Sequence, residues 1–312
     1  MRAAELKRRG IAAMEEALRV LSEADENRRL KCRRREFAHR LPSDSWSGVS
    51  TSASVLFVAH GSPMFALEPG AEGAALAELA TNLERPRAVL VISPHRETEV
   101  AAVSTASRLT TIHDFGGFDP ALYALQYPAS GSPLGAQEVV AALAAAGLPV
   151  NTDAERGLDH GAWVPLRYLF PAADVPVVPL SIQHQGGPEH AYRVGQALAP
   201  LVEQGSLIVA SGNITHNLRD WQQARRGGGV DTRYAQRFSG WVAEQLSAGQ
   251  VEALLHYRQR HPNARQAQPR DEHLLPLFTA LGAAGPTARA RAIHRGISDH
   301  VIAMDSSAFE WD

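Results

Sequence analysis

Val55-Leu-Phe-Val-Ala-His-Gly-Ser-Pro63 is an apolar run that stops at a histidine and a glycine–proline turn. Consecutive apolar residues bounded by turn-forming residues are typical of a buried strand. Two further runs, Ala88–His95 and Leu207–His216, also lead from apolar residues to a histidine. In an open α/β sheet, the residues just past the strand ends line the ligand crevice. The three runs therefore predict strands of one sheet whose histidines lie at the same edge.

Imidazoles that come together from distant parts of the chain favour a metal site. The candidates are His60, His95 and His216, together with His160 in the segment Gly157–Trp163. For each of them the alternative is a turn or core histidine bonded to its neighbours. Cys32 is the only cysteine, and it lies far from these segments, so a thiolate zinc site is excluded. Imidazoles with at most one carboxylate suit Fe(II), Zn(II) or Mn(II).

Short apolar runs alternate with amphipathic stretches from Val55 onward. The pattern predicts an α/β fold: a single domain with a central, mainly parallel or mixed sheet flanked by helices, plus an N-terminal extension. The predicted strands are 55–59, 88–93, 100–104, 175–182 and 206–211. The predicted helices are 71–83, 134–146, 188–202, 231–247, 250–257 and 271–281. The segment 110–133 has little periodicity, and a loop of that length is more often functional than idle.

Charge divides the chain into two parts. Residues 1–40 hold twelve Lys and Arg against seven Asp and Glu, whereas the whole chain of 312 residues has a net charge of −2. We expect residues 1–54 to be a basic extension, helical over 3–22, that ends in a Ser-rich linker, and residues 55–312 to be the catalytic domain.

The near-neutral total charge implies no nucleic-acid partner, and no apolar stretch is long enough to span a bilayer. Without a secretory signal or possible internal disulfide, a cytoplasmic location is predicted.

Two other chemistries lack their motifs. No phosphate-binding Gly-x-x-x-x-Gly-Lys loop is present, and His60-Gly-Ser-Pro63 does not match the nucleophile elbow of serine hydrolases.

Seven ordered blocks of sequence resemble the class III extradiol ring-cleavage dioxygenases (LigB-like), specifically their DOPA-dioxygenase-like branch. The blocks are His60-Gly-Ser-Pro-Met64, Thr111-Ile-His-Asp-Phe-Gly-Gly-Phe118, Leu122-Tyr123 with Tyr127-Pro-Ala129, Gly131-Ser-Pro133, Gly157-Leu-Asp-His-Gly-Ala-Trp163, Ser211-Gly-Asn-Ile-Thr-His-Asn-Leu218 and Glu272-His-Leu-Leu-Pro-Leu277. Residues 1–54 lie outside the resemblance.

The resemblance implies a non-haem Fe(II) enzyme that opens the ring of a catechol-type, DOPA-like substrate with O₂; Zn(II) is the other metal to expect. It implies His60 and His95 as metal ligands, with His273 as the third ligand and Glu272 as its rival. His216 is implied to be the acid–base histidine close to the metal, which is also counted among the ligands. The implied substrate-binding residues are His160, which is also catalytic, His113, Tyr123 and Trp163, while Phe115 and Phe118 are further aromatic candidates for packing on the ring.

The chain departs from the family pattern after the second histidine. The family usually reads Ser-Ala-His-Trp, whereas this chain reads Ser93-Pro-His-Arg96. Arg96 either pairs with a substrate carboxylate or points to solvent. Two functional alternatives stay open: a zinc hydrolase that uses the same histidines to activate water, and a non-catalytic metal-binding interaction protein. The oligomeric state is not determined by the sequence.

Overall fold

Ten strands lie in the part of the chain that the computed structural model describes, residues 54–311. In chain order they are β1 (Val55–Ala59), β2 (Ala88–Glu97), β3 (Ala101–Ser104), β4 (Val150–Asp153), β5 (Val177–Ile182), β6 (Ser206–Gly212), β7 (Arg289–His294), β8 (Ile297–Ser298), β9 (Ile302–Ala303) and β10 (Ser306–Glu310). Eight of them form one sheet in the order β4-β3-β5-β2-β6-β1-β10-β7, and β8 pairs with β9. The four central strands β5, β2, β6 and β1 are parallel, while β3 is antiparallel to β5 and β10 is antiparallel to β1.

Helices flank this sheet. They are α1 (Gly70–Asn82), α2 (Pro120–Ala124), α3 (Pro133–Ala145), α4 (His160–Leu169), α5 (Gly187–Glu203), α6 (Leu218–Arg225), α7 (Arg233–Ser247), α8 (Val251–Leu255), α9 (Tyr257–Arg260), α10 (Ala264–Ala267) and α11 (Leu275–Ala284), with 3₁₀ turns at Pro63–Ala66 and His184–Gly186. Helix α11 is buried along its whole length because it packs on both α5 and the central strands. Helices α1 and α4 form a second packed pair, and α4 contacts β2 and β6.

The predicted fold class is confirmed: the structure is a single α/β domain with a large mixed sheet flanked by helices. The predicted basic helix and nearly all of the Ser-rich linker lie outside the described residues. No helix within 54–311 is long and apolar enough to cross a membrane. The cytoplasmic location stays a prediction.

Strand β2 extends beyond its predicted end at residue 93. Its pairing with β5 is regular from Val89 to Ile92, then lapses, and resumes at Glu97 opposite Ile182. Pro94 lies in this interval and has no N–H to donate to a sheet partner. The irregularity at the carboxyl end of β2 therefore surrounds His95, one of the predicted ligands.

One buried carboxyl joins helix α1 to the sheet. The side chain of Glu72, in the first turn of α1, is 3% exposed and accepts a hydrogen bond from Ser306 Oγ on β10. The same hydroxyl accepts a hydrogen bond of 2.8 Å from the Ala59 backbone N–H. Burial, assisted by the Asp305 carboxyl, raises the pKa of Glu72 to about 8 although the Ser306 bond acts to lower it. Glu72 is therefore mostly neutral at pH 7 and secures the end of β1, one residue before His60.

Candidate metal centre

Five imidazoles meet at the carboxyl edge of the central strands: His60 after β1, His95 in β2, His160 at the start of α4, His216 after β6 and His273 before α11. The ring centres of His60 and His95 are 5.1 Å apart, and those of His95 and His160 are 4.0 Å apart. His273 lies 5.3 Å from His60 by the same measure. All five line one cavity of about 870 Å³. The histidines that were selected as candidates from the sequence are thus neighbours in space.

The ring of His60 is oriented by its Nδ1 atom. That nitrogen lies 3.0 Å from Ser211 Oγ on β6, and the hydroxyl donates its own hydrogen to the Gly161 carbonyl oxygen. The hydroxyl must then accept from His60, so we assign the proton of His60 to Nδ1. The lone pair of Nε2 is left free to face the cavity. Next to His60, Gly61 has a φ of +59° and donates its N–H to Asn213 Oδ1 at 3.1 Å, which shapes the turn.

A carboxylate orients the ring of His273 in the same way. His273 Nδ1 lies 3.1 Å from Glu272 Oε1, and because a carboxylate oxygen is an acceptor, His273 carries its proton on Nδ1. Partners of this kind are what metal-binding histidines use to fix their tautomer. A second carboxylate, Asp114, lies near His95 at 3.6 Å between Oδ2 and Nδ1, a distance too long for a hydrogen bond.

The three Nε2 atoms of His60, His95 and His273 converge. Those of His60 and His95 are 3.2 Å apart, and one nitrogen from each of the three rings lies within 4.8 Å of the others. His273 Nε2 is buried and has no hydrogen-bond partner. Burial, and then the neighbouring imidazoles, lower the pKa of each ring, so the rings are neutral and their lone pairs are available. A cation with nitrogen ligands is what this donor set fits.

Asp114 also holds His160, and sequence reasoning did not single it out. Asp114 Oδ1 accepts hydrogen bonds from both the backbone N–H and the Nδ1–H of His160, each at 2.9 Å. Burial alone would raise the pKa of Asp114, but the hydrogen bonds and charge of His160 lower it well below its usual range. One carboxylate therefore orients His160 and lies close to His95. It lies in the segment 110–133, whose length already predicted a functional loop.

Asp159 precedes His160 in the chain and links two elements of the fold. It does not hold the His160 ring; its Oδ1 caps helix α4 through the Ala162 N–H at 3.2 Å and accepts from Ser93 Oγ at 2.5 Å. Arg156 donates to its other oxygen at 2.9 Å. The result is a rigid link between the start of α4 and the end of β2.

His216 lies against the face of His273. The two rings are stacked, with centres 3.4 Å apart and planes 13° from parallel. His216 Nδ1 is 4.0 Å from Glu272 Oε1, so His216, Glu272 and His273 form a second group of possible ligands. Burial, and then repulsion from His95 and His160, lower the pKa of His216 to about 3. Its Nδ1 and Nε2 are outside the convergent set of His60, His95 and His273.

Apolar side chains form much of the cavity wall. Phe115 and Phe118 come from the loop before α2, and Leu218 and Trp221 come from α6. The ring of Phe115 meets that of His160 edge-on, at 5.6 Å between centres. The cavity thus pairs a polar imidazole cluster with walls suited to a flat apolar ring.

A comparison with family models assigns residues 55–303 to the catalytic LigB subunit of aromatic ring-opening dioxygenase. The chain belongs to this family. A "4,5-DOPA dioxygenase extradiol" of Beta vulgaris is 38% identical over 257 residues, which cover 81% of this chain and 95% of that protein. The protein of the same name from Escherichia coli K12 is 40% identical over 75% of this chain and 86% of its own length. A crystal structure of an uncharacterized E. coli K12 protein matches with a TM-score of 0.68 and 34% identity, covering 81% of this chain and 98% of that one.

Membership in the LigB family confirms the resemblance that the seven blocks predicted. The chain is accordingly an extradiol ring-opening dioxygenase, an oxidoreductase. LigB-family dioxygenases are metal-dependent, which agrees with the convergent imidazoles.

Three residues predicted to contact substrate are not among those that line the cavity of this LigB-family fold, and one of them, Tyr123, is 38% exposed. Trp163 is fully buried and donates its Nε1–H to the Ile112 carbonyl oxygen at 3.1 Å. His113 Nε2 lies 3.0 Å from the Leu125 carbonyl oxygen, and its ring packs near those of Trp163 and Tyr123. None of the three lines the cavity, so their part in substrate binding stays a prediction.

Both expectations for Arg96, where the chain departs from the LigB-family pattern, were wrong. The residue is 5% exposed, so it does not point to solvent, and it does not line the cavity. Its guanidinium donates to the Pro179 carbonyl oxygen at 3.0 Å and to Asp153 Oδ2 at 3.2 Å. Successive side chains of a strand point to opposite faces, so Arg96 turns away from the side that His95 faces.

Proposed function

We propose that this dioxygenase opens the ring of a catechol-type substrate with O₂ at one Fe(II) held by His60, His95 and His273. The observation that carries the proposal is the buried, unpartnered Nε2 of His273, aimed at the same point as the Nε2 atoms of the other two rings. Fe(II) bound to three imidazoles keeps open positions, at which it would bring the diol and O₂ together and let electrons pass between them.

Glu272 has a supporting part in this proposal. Its Oε1 receives the Nδ1–H of His273, which aims the ring, and burial raises the pKa of the Glu272 carboxyl. A carboxyl that already orients one ligand is better placed as that ligand's partner than as its replacement. This favours His273 over Glu272 as the third ligand.

The proton transfers would fall to His160 and His216. A catechol must lose a proton to bind through both oxygens, and ring opening needs a proton returned. Asp114 fixes the proton of His160 on Nδ1, so Nε2 of that ring is a base that faces the cavity. His216 stacks on His273 and lines the cavity, where it would take up a proton from the diol and return it later. A positioned acid–base histidine typically contributes about 10²–10⁴-fold to the rate.

The substrate is proposed to be DOPA-like. Proteins named as 4,5-DOPA dioxygenases align with most of this chain, and the apolar walls formed by Phe115, Phe118 and Trp221 suit an aromatic ring.

Anaerobic loading with Fe(II), followed by O₂-uptake measurements over a catechol panel that includes DOPA, tests the proposal. We expect O₂ uptake and a yellow ring-opened product from the iron-loaded protein, and neither from protein loaded with Zn(II), which takes the same ligands but is redox-inert. His216→Ala should lose turnover while it keeps its iron. Hydrolytic activity of the zinc form without O₂ would show a hydrolase instead, and iron binding without turnover of any catechol would show a binding protein.

A further inference from the structure

One face of helix α6 lines the cavity and leads away from the imidazoles. The lining residues are Leu218, Trp221 and Arg225, which are spaced i, i+3 and i+7 and therefore share a face. The helix begins two residues after His216. With a rise of 1.5 Å per residue, the backbone of Arg225 lies about 10 Å farther along the helix than that of Leu218. The cavity-lining face of α6 therefore ends at the guanidinium of Arg225, away from the imidazoles at which ring opening is proposed.

The guanidinium of Arg225 is positioned but has no anionic partner. Its central carbon lies 4.9 Å from the centre of the Trp221 ring, a cation–π contact that restrains the side chain. Between residues 54 and 311, no carboxylate lies within ion-pair distance of it. Arg96, the other arginine considered for a substrate contact, is buried elsewhere.

The other acidic or basic side chains that line the cavity, apart from the histidines, are carboxylic acids. They are Glu68, Asp119, Glu272 and Asp299. An anionic group on a substrate would be repelled by these carboxylates everywhere except beside Arg225. A guanidinium can pair with a carboxylate through two parallel hydrogen bonds, which fixes orientation as well as affinity.

We propose that Arg225 binds a carboxylate on the side chain of the substrate and so selects acidic catechols over neutral ones. The proposal rests on the proposed function, because the diol must lie at the imidazoles for a short side chain to extend along α6. Leu218 and Trp221 would cover the ring and the alkyl part of that side chain, and Arg225 would receive its end.

The test compares two catechols that differ in the carboxylate, 3-(3,4-dihydroxyphenyl)propionate and 4-methylcatechol, on the iron-loaded protein. Arg225→Gln should raise KM for the propionate about tenfold, the typical loss for one charge-assisted hydrogen bond, and should change kcat little. KM for 4-methylcatechol should stay within about twofold. The KM of Arg225→Lys for the propionate should lie between those of the wild type and Arg225→Gln, because lysine keeps the charge but lacks the planar guanidinium.

Arg226→Gln is the matched control, because this neighbouring arginine follows the last residue of α6 and does not line the cavity. The Arg226→Gln substitution should leave KM unchanged for both catechols. Equal rises in KM for both catechols in Arg225→Gln, or no rise for either, would overturn the proposal. Anaerobic titration of the propionate, followed by quenching of tryptophan fluorescence, gives a Kd without turnover. If the wild-type protein opens neither catechol, the proposed function fails, and the Kd ratio between wild type and Arg225→Gln still decides the role of Arg225.

Discussion

Replacing Glu72 by Gln should stabilise the fold, and the gain should grow with pH. In the folded protein the pKa of Glu72 is raised from 4.5 to about 8, chiefly by burial. The folded state therefore binds a proton that the unfolded state releases above pH 4.5, and wild-type stability falls as the pH rises from about 4.5 to 8. A glutamine cannot ionise, and its carbonyl oxygen can still accept the Ser306 hydrogen bond.

The magnitude follows from the two pKa values. The rise in pKa from 4.5 to about 8 means that the folded protein favours the protonated over the ionised form of Glu72 by about 5 kcal/mol more than the unfolded chain does. Between pH 5 and pH 7 the wild-type protein should lose about 2.5 kcal/mol through this group alone. Above pH 8 the group is ionised in both states, so the contribution becomes constant.

Urea unfolding of both proteins at pH 5, 6, 7 and 8, followed by circular dichroism, measures the difference in free energy of unfolding. The advantage of Glu72→Gln should increase by about 2.5 kcal/mol from pH 5 to pH 7. Glu84→Gln is the control, because Glu84 is exposed and loses little hydration on folding. An advantage of Glu72→Gln that is the same at pH 5 and pH 7 would refute the reasoning, since any effect of the new amide on packing does not depend on pH.

Three further predictions concern the metal centre. Asp114→Ala should lower kcat by about 10² or more and leave the iron content near that of wild type, because the Nδ1–H of His160 loses its side-chain acceptor and the ring is no longer oriented; equal losses of iron and kcat would contradict this. His273→Ala should abolish iron binding, measured by metal analysis after dialysis, whereas Glu272→Gln should keep it because the amide oxygen can still accept from His273; the reverse order would make Glu272 the ligand. Gly61→Ala should cost about 2 kcal/mol in urea unfolding, because its φ is +59° and a Cβ there would lie 2.8 Å from a methionine sulfur; an unchanged midpoint would show that the turn relaxes.

The central strands were predictable because burial on both faces leaves continuous apolar runs. β1 begins and ends where predicted, and β6 extends one residue farther. The peripheral strand β4, Val150–Asp153, is polar and partly exposed, and β7 carries two arginines, so neither shows an apolar run. Helix α4 is short and contains Pro165, and a proline within a segment usually indicates a helix boundary in a sequence.

The meeting of His60, His95 and His216 at one cavity was predictable from position, since strand ends in a parallel sheet meet at one edge, whereas His273 was implied by the family resemblance. The carboxylate partners of the histidines could not be predicted from the sequence. The hydrogen bonds of Asp114 to His160 and its proximity to His95 depend on the path of an irregular loop, and loop conformation follows from tertiary contacts more than from local pattern. The direction of Arg96 depends on which face of β2 each side chain takes near Pro94, where the regular pairing lapses.

The proposed ligands are spread over most of the chain, which constrains when metal can be captured during synthesis. His60 and His95 emerge early, but His273 follows them by more than half of the 312 residues, and β10, which pairs with β1 beside His60, ends at Glu310. A nascent chain therefore presents only two of the three imidazoles until residue 273 has been made. Iron would have to be acquired after that point, and its binding would then favour the folded state over the unfolded one. Under iron limitation, newly made chains would wait as folded protein with an open site, susceptible to capture of whichever divalent ion reaches the three nitrogens first.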